Sequence, residues 1–197
     1  MVRYTRTLLA AAIFGLGGFC APKAHAAQLA GVTLPNTAVV GSQVLLLNGI
    51  GLRTYSILHV HVYVAGLYLT HPMDNADAIL QSPAPKILRL HFVHDVNASS
   101  VRQAWKMGLT DNCVDPCRLN NAELNQFLNS LQPISAGEDI MFVFKDYGLD
   151  AYENGQHIGH ITDPEFARLI LAVFIGPHVR TPALKSELLG LDTTQSS

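Results

Sequence analysis

Charge is scarce in this chain. Only 14% of its 197 residues are Asp, Glu, Lys or Arg, while 49% are hydrophobic. That balance excludes a disordered segment and supplies a core for one domain of ordinary size. Basic residues are the scarcer sign. Three of the 13, Arg3, Arg6 and Lys23, lie within the first 26 positions, so beyond them ten face the 15 acidic residues, a net charge of −5 with histidine neutral. Such a surface argues against nucleic acid and against docking on anionic lipid. No glycine-rich loop precedes a helix, so nucleotide binding lacks support. No serine sits in a nucleophile elbow. No apolar run beyond residue 27 is long enough to span a bilayer. Cysteine is nearly absent: of three, Cys20 lies in the leading segment, and the pair Cys113 and Cys117 has no second pair to complete a zinc cage.

The leading segment reads as a secretory signal peptide. Arg3 and Arg6 give it a basic start, Leu8 to Phe19 is apolar, and Ala24-His25-Ala26 is a small-x-small cleavage pattern. The apolar run is short for a retained anchor and is broken by Gly15, Gly17 and Gly18. Bulky Phe19 before Cys20 disfavours acylation of that cysteine. The expected layout is a signal peptide over 1–26, one domain over 27–190 and a frayed tail over 191–197, in a periplasmic or secreted protein. In that compartment Cys113 and Cys117 are expected to form a local structural disulfide. A redox motif usually has two intervening residues rather than three.

Periodicity then sets the elements. Extended segments are expected over Gln28–Pro35, Ser42–Arg53, Val60–Leu69 and Lys86–Val93; in the last, Leu88, Leu90 and Phe92 alternate with Arg89 and His91. Helices are expected over Ala98–Leu109 and Asn121–Leu131, the second opened by an Asn120/Glu123 capping box. Asp139–Lys145 returns to a strand, and Asn154-Gly155 marks a hairpin. Asp163–Phe174 is an amphipathic helix opened by Asp163-Pro164 and closed by Gly176-Pro177. Strands, helices, strands and a helix in segregated runs imply an α+β fold, an antiparallel sheet with helices packed on one side.

One motif carries chemistry. Asn48-Gly49-Ile50-Gly51-Leu52-Arg53 ends an apolar strand on an arginine, and Tyr63-Val64-Ala65-Gly66-Leu67-Tyr68-Leu69 follows within a hairpin's length. Arginine keeps its charge and offers a planar fork of donors, which suits an anion in an apolar setting. The competing reading pairs Arg53 with an internal carboxylate.

These two segments resemble the signature of the chalcone isomerase fold, most closely its bacterial, exported, chalcone isomerase-like members. The resemblance covers roughly residues 28 to 190. It implies an open-faced β-sandwich, a large antiparallel sheet covered by a helical layer with a ligand cleft between. Some members cyclise chalcones to flavanones; others bind fatty acids without known catalysis. Arg53 matches the family's arginine, which steadies the substrate anion in the enzymes and pairs with the carboxylate in the binders. Tyr63 falls where the binders carry tyrosine and the plant enzymes carry threonine. The enzymes also use a tyrosine and an asparagine on the first helix. The matching stretch here, Asn97 to Trp105, holds no tyrosine, so neither role is carried over. The resemblance favours a non-catalytic binder of a small anionic amphiphile, such as a fatty acid or an aromatic acid. An intramolecular lyase with Arg53 as its charge-stabilising residue is the alternative. No cofactor is implied.

If Arg53 faces Tyr63 in a hairpin, the turn centres on Leu58, and Tyr55 lies opposite His61 on the same face. Tyr55 and His61 are therefore expected to join Arg53 and Tyr63 around the ligand, with Val60, Val62 and Val64 pointing the other way into the core. No Gly, Asn or Pro marks that turn. His59 and His61, with His91, form the histidine group to test as metal ligands, but no carboxylate joins them at ligand spacing, and none is assigned a metal. His157 and His160, three apart on a strand, are expected on opposite faces. Asn97-Ala98-Ser99 matches a glycosylation triplet with no weight placed on it.

Overall fold

The computed structural model describes residues 26–56, 58–117 and 119–191. The expected signal peptide lies outside the described residues except for Ala26, and the expected tail except for Leu191.

The chain opens with a small hairpin, β1 (Ala26–Leu29) and β2 (Val32–Pro35), turned at Ala30-Gly31 with both residues at positive φ. The single leading strand expected here is thus two strands. Next come β3 (Thr37–Val40), β4 (Gln43–Tyr55) and β5 (Val60–Leu69), then α1 (Ala76–Gln81) and β6 (Lys86–Phe92). Two helices follow, α2 (Ala98–Asn112) and α3 (Asn121–Ser130). The chain then runs through β7 (Asp139–Lys145), β8 (Gly148–Glu153), β9 (Gln156–Ile161), α4 (Pro164–Ile175) and α5 (Pro182–Leu188). Strands β3 to β9 lie side by side in chain order, every neighbour antiparallel. The architecture is α+β, as the segregated runs imply.

Strand alternation divides the sheet into two faces. Ala65, Leu67 and Leu69 of β5, Leu88, Leu90 and Phe92 of β6, and Ile140, Phe142 and Phe144 of β7 meet the helices in the main core. From the other side α4 buries Phe166, Leu169, Ile170 and Phe174. Trp105 of α2 ties the layers together, with ring centroids 5.4 Å from Phe127, 5.7 Å from Phe142 and 5.7 Å from Phe174. The opposite face carries two smaller clusters. One has Val64 beneath Val32 and Leu34 of the leading hairpin, and the other holds Leu45, Tyr68, Ile87 and Val143. The expectation that Val60, Val62 and Val64 fill the main core is therefore corrected: Val64 lies on the far face, and the main core shares the face of Tyr63.

Helix ends follow sequence chemistry. Asp163 accepts hydrogen bonds from the Glu165 and Phe166 amides, with Pro164 as the first helical residue. Asn120 caps α3 through the Ala122 amide, but Glu123 makes no return bond, so only half of the expected capping box forms. Asn97 of the glycosylation triplet caps α2, accepting from the Ser100 amide and the Ser99 hydroxyl. Residues 96 and 134 pair backbone to backbone, so the α2–α3 excursion leaves and rejoins the sheet at one point. Within it Arg102 donates to the Leu128 and Leu131 carbonyls at the end of α3. Cys113 and Cys117 are joined in a disulfide.

On the outer face Asp139 accepts from Arg89 at 2.8 Å, with His91 at 3.3 Å. Burial pushes the Asp139 carboxyl up, but the Arg89 hydrogen bond and charge, helped by His91, outweigh it and hold the carboxyl below its ordinary value. A depressed native carboxyl contributes stability above its unfolded value of about 3.9 and loses it as acid protonates the native group. Arg89→Met should therefore be less stable than the parent at pH 7, and the gap should narrow below about pH 4. Urea melts at pH 7, 5 and 3 check this.

Candidate functional site

The Asn48–Arg53 motif forms the middle and end of β4. Past Leu46 this strand has lost its β3 partner, and helix α5 covers the open flank. Asn48 anchors it there. Its amide nitrogen donates to the Met73 and Leu188 carbonyls at 2.9 Å each, and its oxygen accepts from the Met73 amide at 2.7 Å. Gly49 and Gly51 let the helix come close. A Cβ on Gly49 would stand 2.1 Å from the Glu187 carbonyl oxygen. Glu187 itself accepts from the Leu52 amide at 2.9 Å, satisfying a strand donor that no neighbouring strand reaches. The spacing Gly-x-Gly-x-Arg thus has a physical reading. Two glycines dock the strand under a helix, and the next residue on that face is Arg53.

Arg53 pairs with Tyr63 across the hairpin, as the register argument expects, and Tyr63 pairs in turn with Phe92. The Tyr63 and Phe92 rings lie 5.2 Å apart. Burial pushes the Tyr63 hydroxyl up to about 12, and the nearby Arg53 charge opposes that shift. The phenol is thus a neutral donor at physiological pH. Among the described residues Arg53 has neither an ion pair nor a hydrogen bond, so the internal-carboxylate reading finds no partner there. Half-buried Val62, Val96, Trp105, Leu131 and Ile134 pack against the core on the same side. The arrangement offers a half-buried guanidinium and a phenol beside apolar surface, which is the chemistry for one anionic head and an apolar body.

Tyr55 and His61 are placed otherwise than expected. A bulge between Arg53 and Thr54 shifts the register, so Thr54 pairs with His61 and Tyr55 with Val60. The extra residue is Val62, which joins Tyr63 on the core side. His61 is therefore turned off the Arg53–Tyr63 face. Tyr55 remains near the hairpin end but is 67% exposed. The turn runs from Ser56 to His59, both at positive φ, and the His59 amide donates to the Ser56 carbonyl. Neither glycine nor asparagine announces it.

A second bulge, between Ala151 and Tyr152, corrects the reading of His157 and His160. Both rings reach the same oxygen of Asp150, at 3.4 Å and 2.7 Å, and so share a face. His91 is engaged by Asp139 on the outer face. Among the described residues no group of three or more His, Cys, Asp or Glu side chains is placed to hold a metal ion. No helix among them is long and apolar enough to cross a membrane.

Two contributors to the site's construction, Glu187 and Asn48, escape sequence reasoning. Their partners lie 135 and 140 positions away. The helix bearing Glu187 did leave a local mark, Thr181-Pro182, a cap followed by proline at the first helical position.

Residues 26–190 match the chalcone isomerase-like family. A solved structure of a fatty-acid binding protein from Arabidopsis thaliana is similar, with a TM-score of 0.69 and 20% identity, covering 84% of this chain and 96% of that one. No curated protein sequence matches. The fold and the length of the match place the class, a curled antiparallel sheet under a helical layer. The chain belongs to the chalcone isomerase-like family.

Proposed function

We propose that this protein binds a small anionic amphiphile, a fatty acid or an aromatic acid, and acts as an exported binding module rather than an enzyme. The observation that carries this is Arg53: a half-buried guanidinium without an ion pair among the described residues, cross-strand from the half-buried neutral phenol of Tyr63. A carboxylate head would accept from both groups, and the apolar surface beside them would cover the tail. The Arabidopsis structure is of a protein named for fatty-acid binding, which supports the ligand class. Tyrosine at 63 is the residue that the family's fatty-acid binders carry. The isomerase alternative has less support. The first-helix tyrosine of the enzymes has no counterpart between Asn97 and Trp105, and the Asn97 side chain is occupied in capping α2.

Native mass spectrometry of the full-length gene product, purified from exporting cells and followed by extraction, tests the proposal. The expected result is a co-purifying acid on a chain cleaved near Ala26. A chain that is empty, and that fails to take up added palmitate or benzoate, contradicts it. Tyr63→Phe should lower fatty-acid affinity about tenfold, the scale of one hydrogen bond to a charged group. Its melting temperature should stay close to the parent's, because the ring packing on Phe92 is kept. Fluorescent fatty-acid displacement and a thermal melt read the two effects.

A further inference from the structure

A cavity of about 220 Å³ lies at the other end of the sheet, between the turn that joins α1 to β6 and the start of α4. Lys86, the first residue of β6, lines it and is only 7% exposed. Its ammonium donates to the Ser82 carbonyl at 2.5 Å and the Ala84 carbonyl at 2.9 Å. An ammonium has three donors. Two clamp the turn, and the third has no acceptor among the described residues.

Of the four other charged residues that line the cavity, Lys145, Asp146, Glu165 and Arg168, three are engaged in ion pairs. Arg168 pairs with Glu165 on α4, and Lys145 pairs with Asp150 at 2.8 Å. Asp146 is exposed on the turn after β7. That leaves one buried positive charge without a carboxylate partner, an arrangement a counter-ion would relieve. Leu80, Phe144 and Leu171 supply apolar wall. The volume is below that of a drug-sized pocket.

We propose that this cavity is a second binding site, for a small monocarboxylate with a short apolar body, held by Lys86. Clamping the turn accounts for two of the lysine's donors and leaves the third to the ligand. Phe92, beside Tyr63, is six residues along the same strand, roughly 20 Å away, so the site is separate from Arg53. Burial alone lowers the Lys86 ammonium to about 8. Carboxylate binding should therefore be strongest below that pH. Of the groups that face it, Lys145 and Arg168 are held charged by their partners and Glu165 is held ionised, so none of these titrates between pH 7 and 9.5.

The test is a titration of the full-length protein with sodium benzoate, followed by amide NMR. Saturable shifts are expected at Ser82, Ala84, Lys86 and residues 165–168. Lys86→Met should weaken the binding read at these amides at least tenfold, and Arg53→Met should leave the shifts at these amides unchanged. If Lys86→Met does not fold, the parent decides: affinity should fall at least fivefold between pH 7 and 9.5. Absence of saturable shifts at these amides, unchanged affinity in a folded Lys86→Met, or a flat profile over that pH range would each overturn the site. Loss of the shifts at these amides in Arg53→Met would assign them to benzoate in the other cleft and overturn the site too.

Discussion

Arg53→Met is expected to weaken fatty-acid binding by about 100-fold or more while leaving the urea melt nearly unchanged. The size follows from what is removed. Each hydrogen bond from a guanidinium to a carboxylate contributes roughly 1.5–3 kcal/mol, and the fork can make two. The small effect on stability follows from the lack of an ion pair to Arg53 among the described residues. Had the arginine held a buried internal carboxylate, truncating it would cost about 3–5 kcal/mol of stability. Arg53→Lys separates charge from geometry. It keeps the positive charge but loses the planar fork, so an intermediate affinity is expected. Equal binding by Arg53→Met and the parent would remove the arginine from the site.

Gly49→Ala is expected to destabilise the protein by about 3 kcal/mol or more. The new Cβ would stand 2.1 Å from the Glu187 carbonyl oxygen and 2.5 Å from that of Leu188. Both are backbone atoms, so no rotamer change relieves the collision. Helix α5 would have to lift, and with it the Asn48 bond to Leu188 and the Glu187 bond to Leu52. For a domain of this size the melting temperature should fall by roughly 6–12 °C. Gly51→Ala meets side-chain atoms instead, Leu184 Cδ1 at 2.7 Å and Glu187 Oε2 at 2.6 Å. These can move, so a smaller loss of about 1–2 kcal/mol is expected. Thermal melts of the two variants test the order. A Gly49→Ala protein that melts like its parent would contradict the docking of α5 on β4.

What the sequence made legible was what its local chemistry marks. Asn154-Gly155 turns the β8–β9 hairpin, and Asp163-Pro164 opens α4, because each places a residue type at the one position that needs it. The Arg53–Tyr63 pairing was legible through the family resemblance and the arithmetic of a hairpin. The bulges were not. At Arg53/Thr54 the extra residue, Val62, enters with no glycine to announce it, at Ala151/Tyr152 the extra residue, Ile158, sits beside Gly159, and each reverses a face assignment. His61 left the expected site for that reason, and His157 and His160 came together on Asp150. The turn after Tyr55 was hidden in the same way, since Ser56 and His59 take positive φ without being the residues that favour it. Strand β3 and helix α1 are four and six residues long, too short for periodicity to register. The Lys86 cavity is assembled from three separate chain segments, and no local pattern predicts it.

The central claim is that the head of the ligand is an anion held by Arg53. Its most direct test is to titrate palmitate and methyl palmitate against the same fluorescent fatty-acid probe at pH 7.4. The tails are alike, and only the acid carries the charge. The account predicts displacement by the acid and at least 100-fold weaker displacement by the ester, a difference that disappears in Arg53→Met. Equal displacement by acid and ester would contradict it and leave an apolar cleft with no anion clamp.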